Sequence, residues 1–158
     1  MARRIAIAGA GIGGLAAAAL LARAGHAVQV FDRFAQPQPV GSGLVIQPVG
    51  QRVLDDLGLL ERAEARGNRI HRLVGRSSPH GRRVLDASYD GPGDPRFGLA
   101  IHRAALFELL LHAAREAGAE IVTGHEVADC QPGRLCFIDH PDQTALDLVI
   151  DASGARSP

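Results

Sequence analysis

The sequence predicts an α/β fold in which a parallel sheet begins with a βαβ unit. Residues 4–8 and 27–31 are short apolar runs typical of buried strands. Between them, residues 15–24 are good helix formers that end before Gly25. A cluster of glycines at positions 9–14 joins the first strand to the helix. This order of strand, tight turn, helix and strand is that of a βαβ unit, whose two strands lie parallel.

The glycine turn, Gly9-Ala10-Gly11-Ile12-Gly13-Gly14, predicts a dinucleotide site in a Rossmann-like domain. Glycine lets the chain turn sharply, lets a diphosphate approach the backbone, and lets the helix pack closely on the strand. The N–H groups of residues 11–14 would then point at the anion, whose charge the helix dipole favours. Asp32 follows Gly14 by eighteen residues, where its carboxylate can accept hydrogen bonds from ribose hydroxyls. The alternative is a glycine-rich turn in an ordinary βαβ unit.

Length, charge and the lack of lysine limit the possible functions. The chain has 158 residues, enough for one domain with a proper core and too few for two full domains. Its 17 basic and 17 acidic residues balance, so the composition does not indicate a nucleic-acid or acidic-membrane partner. Because the sequence contains no lysine, it excludes a Walker-type phosphate loop, a Schiff-base lysine and a lysine general base from within this chain.

The uncharged run at residues 5–22, which follows Arg3 and Arg4, has a second interpretation. A basic start before an apolar stretch is typical of a signal peptide or a membrane span. The glycines at 9–14 argue against a continuous helix, and the following strand completes a nucleotide-binding unit instead. We therefore expect a soluble protein that stays in the cytoplasm.

The remainder of the chain alternates loops, short helices and strands. Residues 33–43 form a loop that ends with Gly41-Ser42-Gly43-Leu44. This end either has the backbone freedom that a bound ring system could use, or it is a plain turn. The strands expected at 69–86 interrupt the nucleotide-binding pattern and can belong to a different sheet. We expect helices at 50–57, 59–66 and from Arg103 to Gly118, strands at 69–76, 82–86, 97–101, 120–123, 126–130, 134–139 and 146–151, a loop at 90–95 and a hairpin turn at Pro132-Gly133.

Few side chains form a recognisable catalytic or metal-binding set. The seven histidines lack metal-ligand spacing, and no serine lies on a nucleophile turn. Cys130 and Cys136 lack the CxxC spacing, so we expect them to stay reduced in a hairpin. Arg103 stands where a buried strand meets a helix, from which its guanidinium can reach a diphosphate or a ribityl hydroxyl; a surface arginine is the alternative. Redox chemistry therefore has to come from a bound cofactor.

Four segments resemble the FAD-dependent aromatic hydroxylases, the flavoprotein monooxygenases of the p-hydroxybenzoate hydroxylase type, in their amino-terminal portion. The segments are residues 5–33, 41–48, 101–106 and 147–157. The resemblance implies FAD as cofactor, with its phosphates on the glycine turn, its ribose at Asp32, its ring near Gly43 and its adenine near the backbone of Val127. The cofactor-binding residues that it implies are Gly9, Gly11, Ile12, Gly13, Gly14, Asp32, Arg33, Gly43, Arg103 and Val127.

The same resemblance implies a fold and an activity. The fold is a Rossmann-like FAD-binding domain of the GR2 type, a parallel sheet with its βαβ unit and a β-meander, followed by the first strands of a substrate-domain sheet. Residues 1–68 would hold the βαβ unit and flavin loop, 69–96 the start of the substrate sheet, and 97–158 the rest of the FAD-binding domain. The implied enzyme is a monooxygenase that uses NAD(P)H as co-substrate to hydroxylate an aromatic or related small molecule. The alternatives are a related flavin reductase or halogenase, a non-catalytic module that binds FAD or only ADP, and NAD in place of FAD.

The last segment departs from the family pattern. The second fingerprint is normally Gly-Ala-Asp-Gly-x-x-Ser, whereas Asp151 here takes the glycine position and Ser153 the aspartate position. Variants of this type occur in related flavin enzymes, so FAD binding is still expected. The family's later Gly-Asp motif and most of its substrate sheet would lie beyond Pro158. We therefore expect a fragment, or one chain of a split protein whose second chain supplies the carboxy-terminal half.

Overall fold

The structure, a computed structural model, describes residues 1–36, 38, 41–90, 96–155 and 157. It has two compact units, one formed by Met1–Val40 with Leu106–Pro158 and the other by Gly41–Ala105. Residues 91–95 of the loop expected at 90–95, three residues of the loop expected at 33–43, and Arg156 of the second fingerprint lie outside the described residues.

The described residues form strands and helices in the following order. The elements are β1 (Arg4–Ala8), α1 (Ile12–Arg23), β2 (Ala27–Asp32), β3 (Gly43–Ile46), α2 (Pro48–Asp56), α3 (Leu60–Glu64), β4 (Gly67–Ile70), β5 (Arg72–Arg76), β6 (Arg83–Ser88), β7 (Gly98–His102), α4 (Arg103–Glu116), β8 (Glu120–Thr123), β9 (Val127–Gln131), β10 (Arg134–Phe137) and β11 (Leu148–Asp151).

A parallel sheet forms the centre of the first unit. Its strands lie in the order β11-β1-β2-β8, and each neighbouring pair is parallel. The predicted parallel sheet with an initial βαβ unit is therefore confirmed. Helix α1 begins at Ile12, three residues before the predicted start, because Gly11 is extended, with φ −78° and ψ −177°, and serves as the N-cap.

Apolar side chains bury this sheet. Ile5, Ala6, Ile7 and Ala8 of β1 are all buried, which is expected of a parallel strand covered on both faces. The side chains of successive residues point to opposite faces, and those of Ala6 and Ala8 join a cluster with the β9–β10 hairpin. The members of that cluster are Ala6, Ala8, Phe31, Leu135, Phe137 and Leu146.

Antiparallel pairing organises the second unit. Its main sheet has the order β3-β7-β4, and β5 pairs with β6 in a separate two-stranded sheet. The end of the loop predicted at 33–43, with Leu44 as its last residue, is wrong, because residues 43–46 pair with β7 and are strand. The strand predicted at 69–76 is divided at His71, and its two parts pair with different strands.

The limits of the two compact units differ from the segments 1–68, 69–96 and 97–158 that the resemblance implies. Those segments divide the chain by function, and that division stays a prediction. Among the described residues, no helix is long and apolar enough to cross a membrane.

Candidate functional site

The carboxyl ends of β1, β2 and β11 meet at one edge of the parallel sheet. Ala8, the last residue of β1, pairs with Phe31 on one side and with Asp151 on the other. Along the chain, β1 is followed by β2 and β8, which lie on one side of it in the sheet. The last strand, β11, lies on the other side of β1. The order therefore reverses between β1 and β11, and in open α/β sheets such a reversal is where ligands bind, outside the carboxyl ends of the strands.

Two glycines of the turn are required by the packing of the chain itself. Gly9 has φ +97°, and a Cβ added there would lie 2.6 Å from the carbonyl oxygen of Ala152 and 2.8 Å from the Cα of Ser153. A Cβ added at Gly14 would overlap the carbonyl oxygen of Gly9. Gly9 thus permits the turn and the close approach of the segment after β11, and Gly14 permits the tight packing of α1 on the turn.

The other two glycines of the turn have no such internal reason. Apart from the adjoining residues and the backbone of α1, no atom of the described residues lies within 4 Å of a Cβ added at Gly11 or Gly13. Neither residue has the positive φ that favours glycine. The open space beside these two residues is where a ligand can approach the backbone closely, and a side chain at either position would project into it.

The first turn of α1 borders this open space. Gly11 contributes no capping side chain, and the first turn contains no acidic residue. The first backbone bond within the helix runs from the N–H of Leu15 to the carbonyl oxygen of Gly11, at 2.9 Å. The N–H groups before Leu15 have no acceptor within the helix, so this terminus can donate hydrogen bonds to an anion, whose charge the helix dipole also favours.

The carboxylate of Asp32 ties the glycine turn to the end of β2. Its Oδ2 accepts a hydrogen bond from the N–H of Ala10 at 2.8 Å, and its Oδ1 accepts one from the N–H of Phe34 at 3.0 Å. A carboxylate has about four acceptor positions, so two remain for a ligand. Asp32 therefore supports the turn and still has the capacity for two ribose hydroxyls.

Arg33 and Val127 lie on the elements that continue from this edge. Arg33 follows β2 and is exposed, with its Nη1 3.9 Å from a carboxylate oxygen of Glu126. Val127 begins β9 and is half-buried against the cluster shared with β1 and β2. Asp32 pairs with Thr123, the last residue of β8, so residues 124–127 leave the sheet at the same edge as the turn.

The segment after β11 lies directly against the glycine turn. The N–H of Ala152 donates to the carbonyl oxygen of Ala8 at 2.8 Å, which continues the parallel pairing by one residue. The carboxylate of Asp151 accepts hydrogen bonds from the N–H and hydroxyl groups of Ser153 and from the hydroxyl of Ser157. The hydrogen bonds from Ser153, followed by that from Ser157, hold the pKa of Asp151 below its ordinary value.

The second unit contains an open cavity of about 460 Å³. It is lined by residues of β3, β4 and β7 and by two residues that precede β3 and β4. Gly43 lies at the start of β3 in the wall of this cavity, where a Cβ would lie 3.4 Å from the carbonyl oxygen of Ile101. Nδ1 of His102 lies 3.2 Å from the carbonyl oxygen of Ser42, which accepts a hydrogen bond from this nitrogen in the tautomer that carries the hydrogen on Nδ1.

Arg103 is the first residue of α4, as the sequence predicts for a strand-to-helix junction. Its backbone N–H donates to the carbonyl oxygen of Ser42 at 3.2 Å. Gly41, with φ +100°, packs over its side chain, so that a Cβ at Gly41 would lie 3.2 Å from Nε. Within the part of the chain that the structure describes, Nε of Arg103 is buried and has no hydrogen-bond partner. A buried guanidinium nitrogen without a partner costs free energy that a phosphate or hydroxyl oxygen would recover.

Comparison with known proteins decides the family. A family profile described as "FAD binding domain" matches residues 3–134. The chain belongs to the FAD binding domain family. The predicted resemblance to FAD-dependent aromatic hydroxylases and the predicted Rossmann-like FAD-binding fold are thereby confirmed.

Individual relatives of this FAD binding domain are enzymes of greater length. The chain is 36% identical over 161 residues to 3-amino-4-hydroxybenzoate 2-monooxygenase from Streptomyces cremeus, covering 98% of the chain and 40% of that protein. It is 32% identical over 166 residues to menaquinone reductase from Mycobacterium tuberculosis, covering 98% of the chain and 38% of that protein. It matches the solved tetrameric form of 2-methyl-3-hydroxypyridine-5-carboxylic acid oxygenase with a TM-score of 0.84 and 26% identity, over 99% of this chain and 40% of that one. The chain thus spans about 40% of the length of these relatives.

The residues present fit an FAD dinucleotide. The open backbone at Gly11 and Gly13 suits the diphosphate, and the remaining acceptors of Asp32 suit a ribose. In the second unit, taken by itself, the buried Nε of Arg103 has no partner among the described residues and is a donor suited to a phosphate or hydroxyl oxygen; its contact with FAD stays a prediction. Gly43, Arg33 and Val127 lie beside a cavity or at the sheet edge, and their contacts with FAD stay predictions.

Two features of this FAD binding domain were not predicted from the sequence. The first is that Asp32 bonds the turn itself, through the N–H of Ala10. The second is the role of Asp151 in holding Ser153 and Ser157. An aspartate followed two residues later by serine is the available signal, because short polar side chains commonly bond the backbone two residues on.

Proposed function

We propose that this FAD binding domain serves an NAD(P)H-dependent flavoprotein monooxygenase that hydroxylates an aromatic or related small molecule. The proposal rests on the open backbone at Gly11 and Gly13, next to an uncapped helix terminus and Asp32, which suits a dinucleotide. The names of two relatives, an aminohydroxybenzoate monooxygenase and a hydroxypyridine carboxylic acid oxygenase, support oxygenation of a ring substrate.

FAD supplies the redox chemistry when it is bound, and the chain supplies binding and orientation. The amides of the first turn of α1 hold the diphosphate through hydrogen bonds and through the helix dipole. Asp32 would fix the adenosine end of FAD by accepting hydrogen bonds from the ribose hydroxyls. The same carboxylate accepts the hydrogen bond from the N–H of Ala10. Arg103 and Gly43 would fix the flavin end, one by donating hydrogen bonds and the other by leaving room for a ring. We assign no general base among the described residues.

A flavin reductase is the second candidate, and one relative favours it. The menaquinone reductase is 32% identical to the chain, and its name describes a reduction rather than an oxygenation. The two candidates share the FAD site, so binding does not separate them. Incorporation of ¹⁸O from labelled O₂ into a hydroxylated product, coupled to NAD(P)H oxidation, supports the monooxygenase; quinone-dependent oxidation without incorporation supports the reductase.

A non-catalytic FAD module is the third candidate, because the chain spans about 40% of the length of its relatives. We propose that turnover needs the part of those relatives that these 158 residues do not cover, supplied either by the same polypeptide or by a second one, and that the protein acts in the cytoplasm. The test is to purify the 158-residue chain alone and after co-expression with the carboxy-terminal portion of the Streptomyces cremeus relative. A bound-flavin absorbance spectrum in both preparations, with NAD(P)H oxidation only in the second, supports the proposal. A colourless chain in both preparations contradicts it.

A further inference from the structure

Asp151 uses its carboxylate entirely within the chain, at a position where the related fingerprint has glycine. Its Oδ1 accepts hydrogen bonds from the N–H of Ser153 at 2.9 Å and from the hydroxyl of Ser153 at 2.5 Å. Its Oδ2 accepts a hydrogen bond from the hydroxyl of Ser157. One side chain therefore holds together the described residues 151–155 and 157, which are called the 151–157 loop below. The lowered pKa of Asp151 means that this acceptor is ionised throughout the neutral range.

The loop that Asp151 closes forms one wall of the glycine turn. Positions for a Cβ at Gly9 lie 2.6 Å from the carbonyl oxygen of Ala152 and 2.8 Å from the Cα of Ser153. A Cβ at Gly14 would lie 3.4 Å from the Cβ of Ala152. There is no room for an added Cβ at Gly9, so the backbone of the loop lies close against the turn, and a shift of the loop toward the turn has to move the turn as well. The geometry of the turn thus depends on a carboxylate that does not touch it.

We propose that Asp151 is a positioning residue for the FAD diphosphate: by fixing the 151–157 loop against Gly9, it keeps the glycine turn in the shape that presents its amides. The inference rests on the FAD site proposed above and names no further ligand. The hydrogen bonds from Ser153 and Ser157 fill three of the about four acceptor positions of the carboxylate. We therefore assign Asp151 an effect on the cofactor through the loop, and the variants below separate it from a direct effect of its charge.

The opposite mechanism makes a different prediction. If the charge of Asp151 acted directly on the diphosphate, like charges would repel, and Asp151→Asn would tighten FAD binding. If Asp151 acts by position, Asp151→Asn keeps an acceptor for Ser153, and the Ser157 hydroxyl can reverse its role and accept from the amide. Asp151→Ala removes every one of these bonds.

The experiment compares FAD dissociation constants of the 158-residue chain and its variants by flavin fluorescence. We expect Asp151→Ala to weaken FAD binding about tenfold or more, and Asp151→Asn to stay within about threefold of the unchanged chain. Asp147→Ala is the matched control, because Asp147 also bonds a neighbouring strand, accepting from the N–H of Arg4 at 2.7 Å at the opposite edge of the sheet. This control should leave FAD affinity unchanged.

Amide hydrogen exchange without FAD supplies a second readout. Asp151→Ala should accelerate exchange in residues 152–155 and in the glycine turn at 9–13, whereas Asp147→Ala should not. Unchanged FAD affinity in Asp151→Ala, tighter binding in Asp151→Asn, or equal exchange in the two alanine variants would each overturn the proposal. These outcomes differ from a failure of the FAD assignment itself. In that case the unchanged chain would not bind FAD in its own titration.

Discussion

The carboxylate of Asp32 accepts a hydrogen bond from the N–H of Ala10 over 2.8 Å, across the crevice between the end of β2 and the glycine turn. The same carboxylate accepts a hydrogen bond from the N–H of Phe34 at 3.0 Å. One side chain therefore orders both loops that leave the carboxyl edge of the sheet and retains acceptors for a sugar. The proposed ribose contact and the local stability of both loops therefore depend on the same side chain.

Replacing Asp32 with alanine should therefore affect stability as well as binding. The variant leaves two backbone N–H groups without their acceptor, and we expect its free energy of unfolding to fall by about 1–3 kcal/mol. Urea unfolding of the chain without ligand measures this loss. FAD affinity should fall further than FMN affinity, because FMN lacks the adenosine ribose that Asp32 is proposed to hold. Equal losses for FAD and FMN would contradict the assignment of Asp32 to that sugar.

Gly13 and Gly14 are neighbours with opposite expected responses to alanine. At Gly13 a Cβ meets open space in a helical turn, so Gly13→Ala should raise the free energy of unfolding by about 0.4–1 kcal/mol. The same methyl group projects into the proposed diphosphate site and should weaken FAD binding about tenfold or more. At Gly14 the Cβ overlaps the carbonyl oxygen of Gly9, so Gly14→Ala should cost about 1–3 kcal/mol or more of stability.

Thermal unfolding with and without FAD tests this pair of variants. In the absence of FAD, Gly13→Ala should have a higher melting temperature than the unchanged chain. When FAD is added, the melting temperature of Gly13→Ala should rise by less than that of the unchanged chain. A Gly13→Ala chain that retains full FAD affinity would show that the open space beside the turn is not the diphosphate site.

Local patterns predicted the βαβ unit better than they predicted the strands that follow it. The turn at residues 9–14 and Asp32 belong to one βαβ unit, whose pairing of β1 with β2 involves residues close in sequence. Strand β3 was missed because it has four residues and gains its hydrogen bonds from β7, which lies far along the chain. The β-propensity of its residues is a weak predictor of such a strand, because pairing with the partner strand decides its conformation.

The division of the predicted strand at His71 has the same origin. Residues 67–70 pair with β7, and residues 72–76 pair with β6. An alternating pattern continues through both segments, and the pattern contains no information about which sheet each segment joins. The position of the 151–157 loop could not be predicted either, because it depends on the bonds of one carboxylate to two serines.

Cys130 should react slowly with thiol reagents in the folded chain. Burial, and then the negative charges of Asp151 and Asp129, raise the pKa of its thiol. Folding thus favours the neutral thiol. The contribution of this thiol to stability is fully present at a pH below its pKa in the unfolded chain, and it is lost as the pH rises through its pKa in the folded chain. Since the thiolate is the nucleophile, alkylation by iodoacetamide at pH 8 should be slower in the native chain than in urea. Mass spectrometry of the modified peptide measures both rates; equal rates would contradict the raised pKa.

Arg103 provides a test of the flavin end of the site that does not depend on Asp32. Its buried Nε lacks a partner among the described residues, and charge-assisted hydrogen bonds of arginine contribute about 1.5–3 kcal/mol. Arg103→Ala should therefore weaken FAD binding about tenfold or more, whereas the free energy of unfolding without FAD should change little or rise, because an unsatisfied donor is removed.

The matched control for Arg103 is Arg115, an exposed arginine in the last turn of the same helix. Arg115→Ala removes the same charge from α4 and should leave FAD affinity unchanged. Arg103→Lys should fail to restore binding, because lysine has no nitrogen at the Nε position and lacks the planar fork of arginine. If Arg103→Ala and Arg115→Ala weaken FAD binding equally, the effect comes from net charge, and the assignment of Arg103 to the cofactor is wrong.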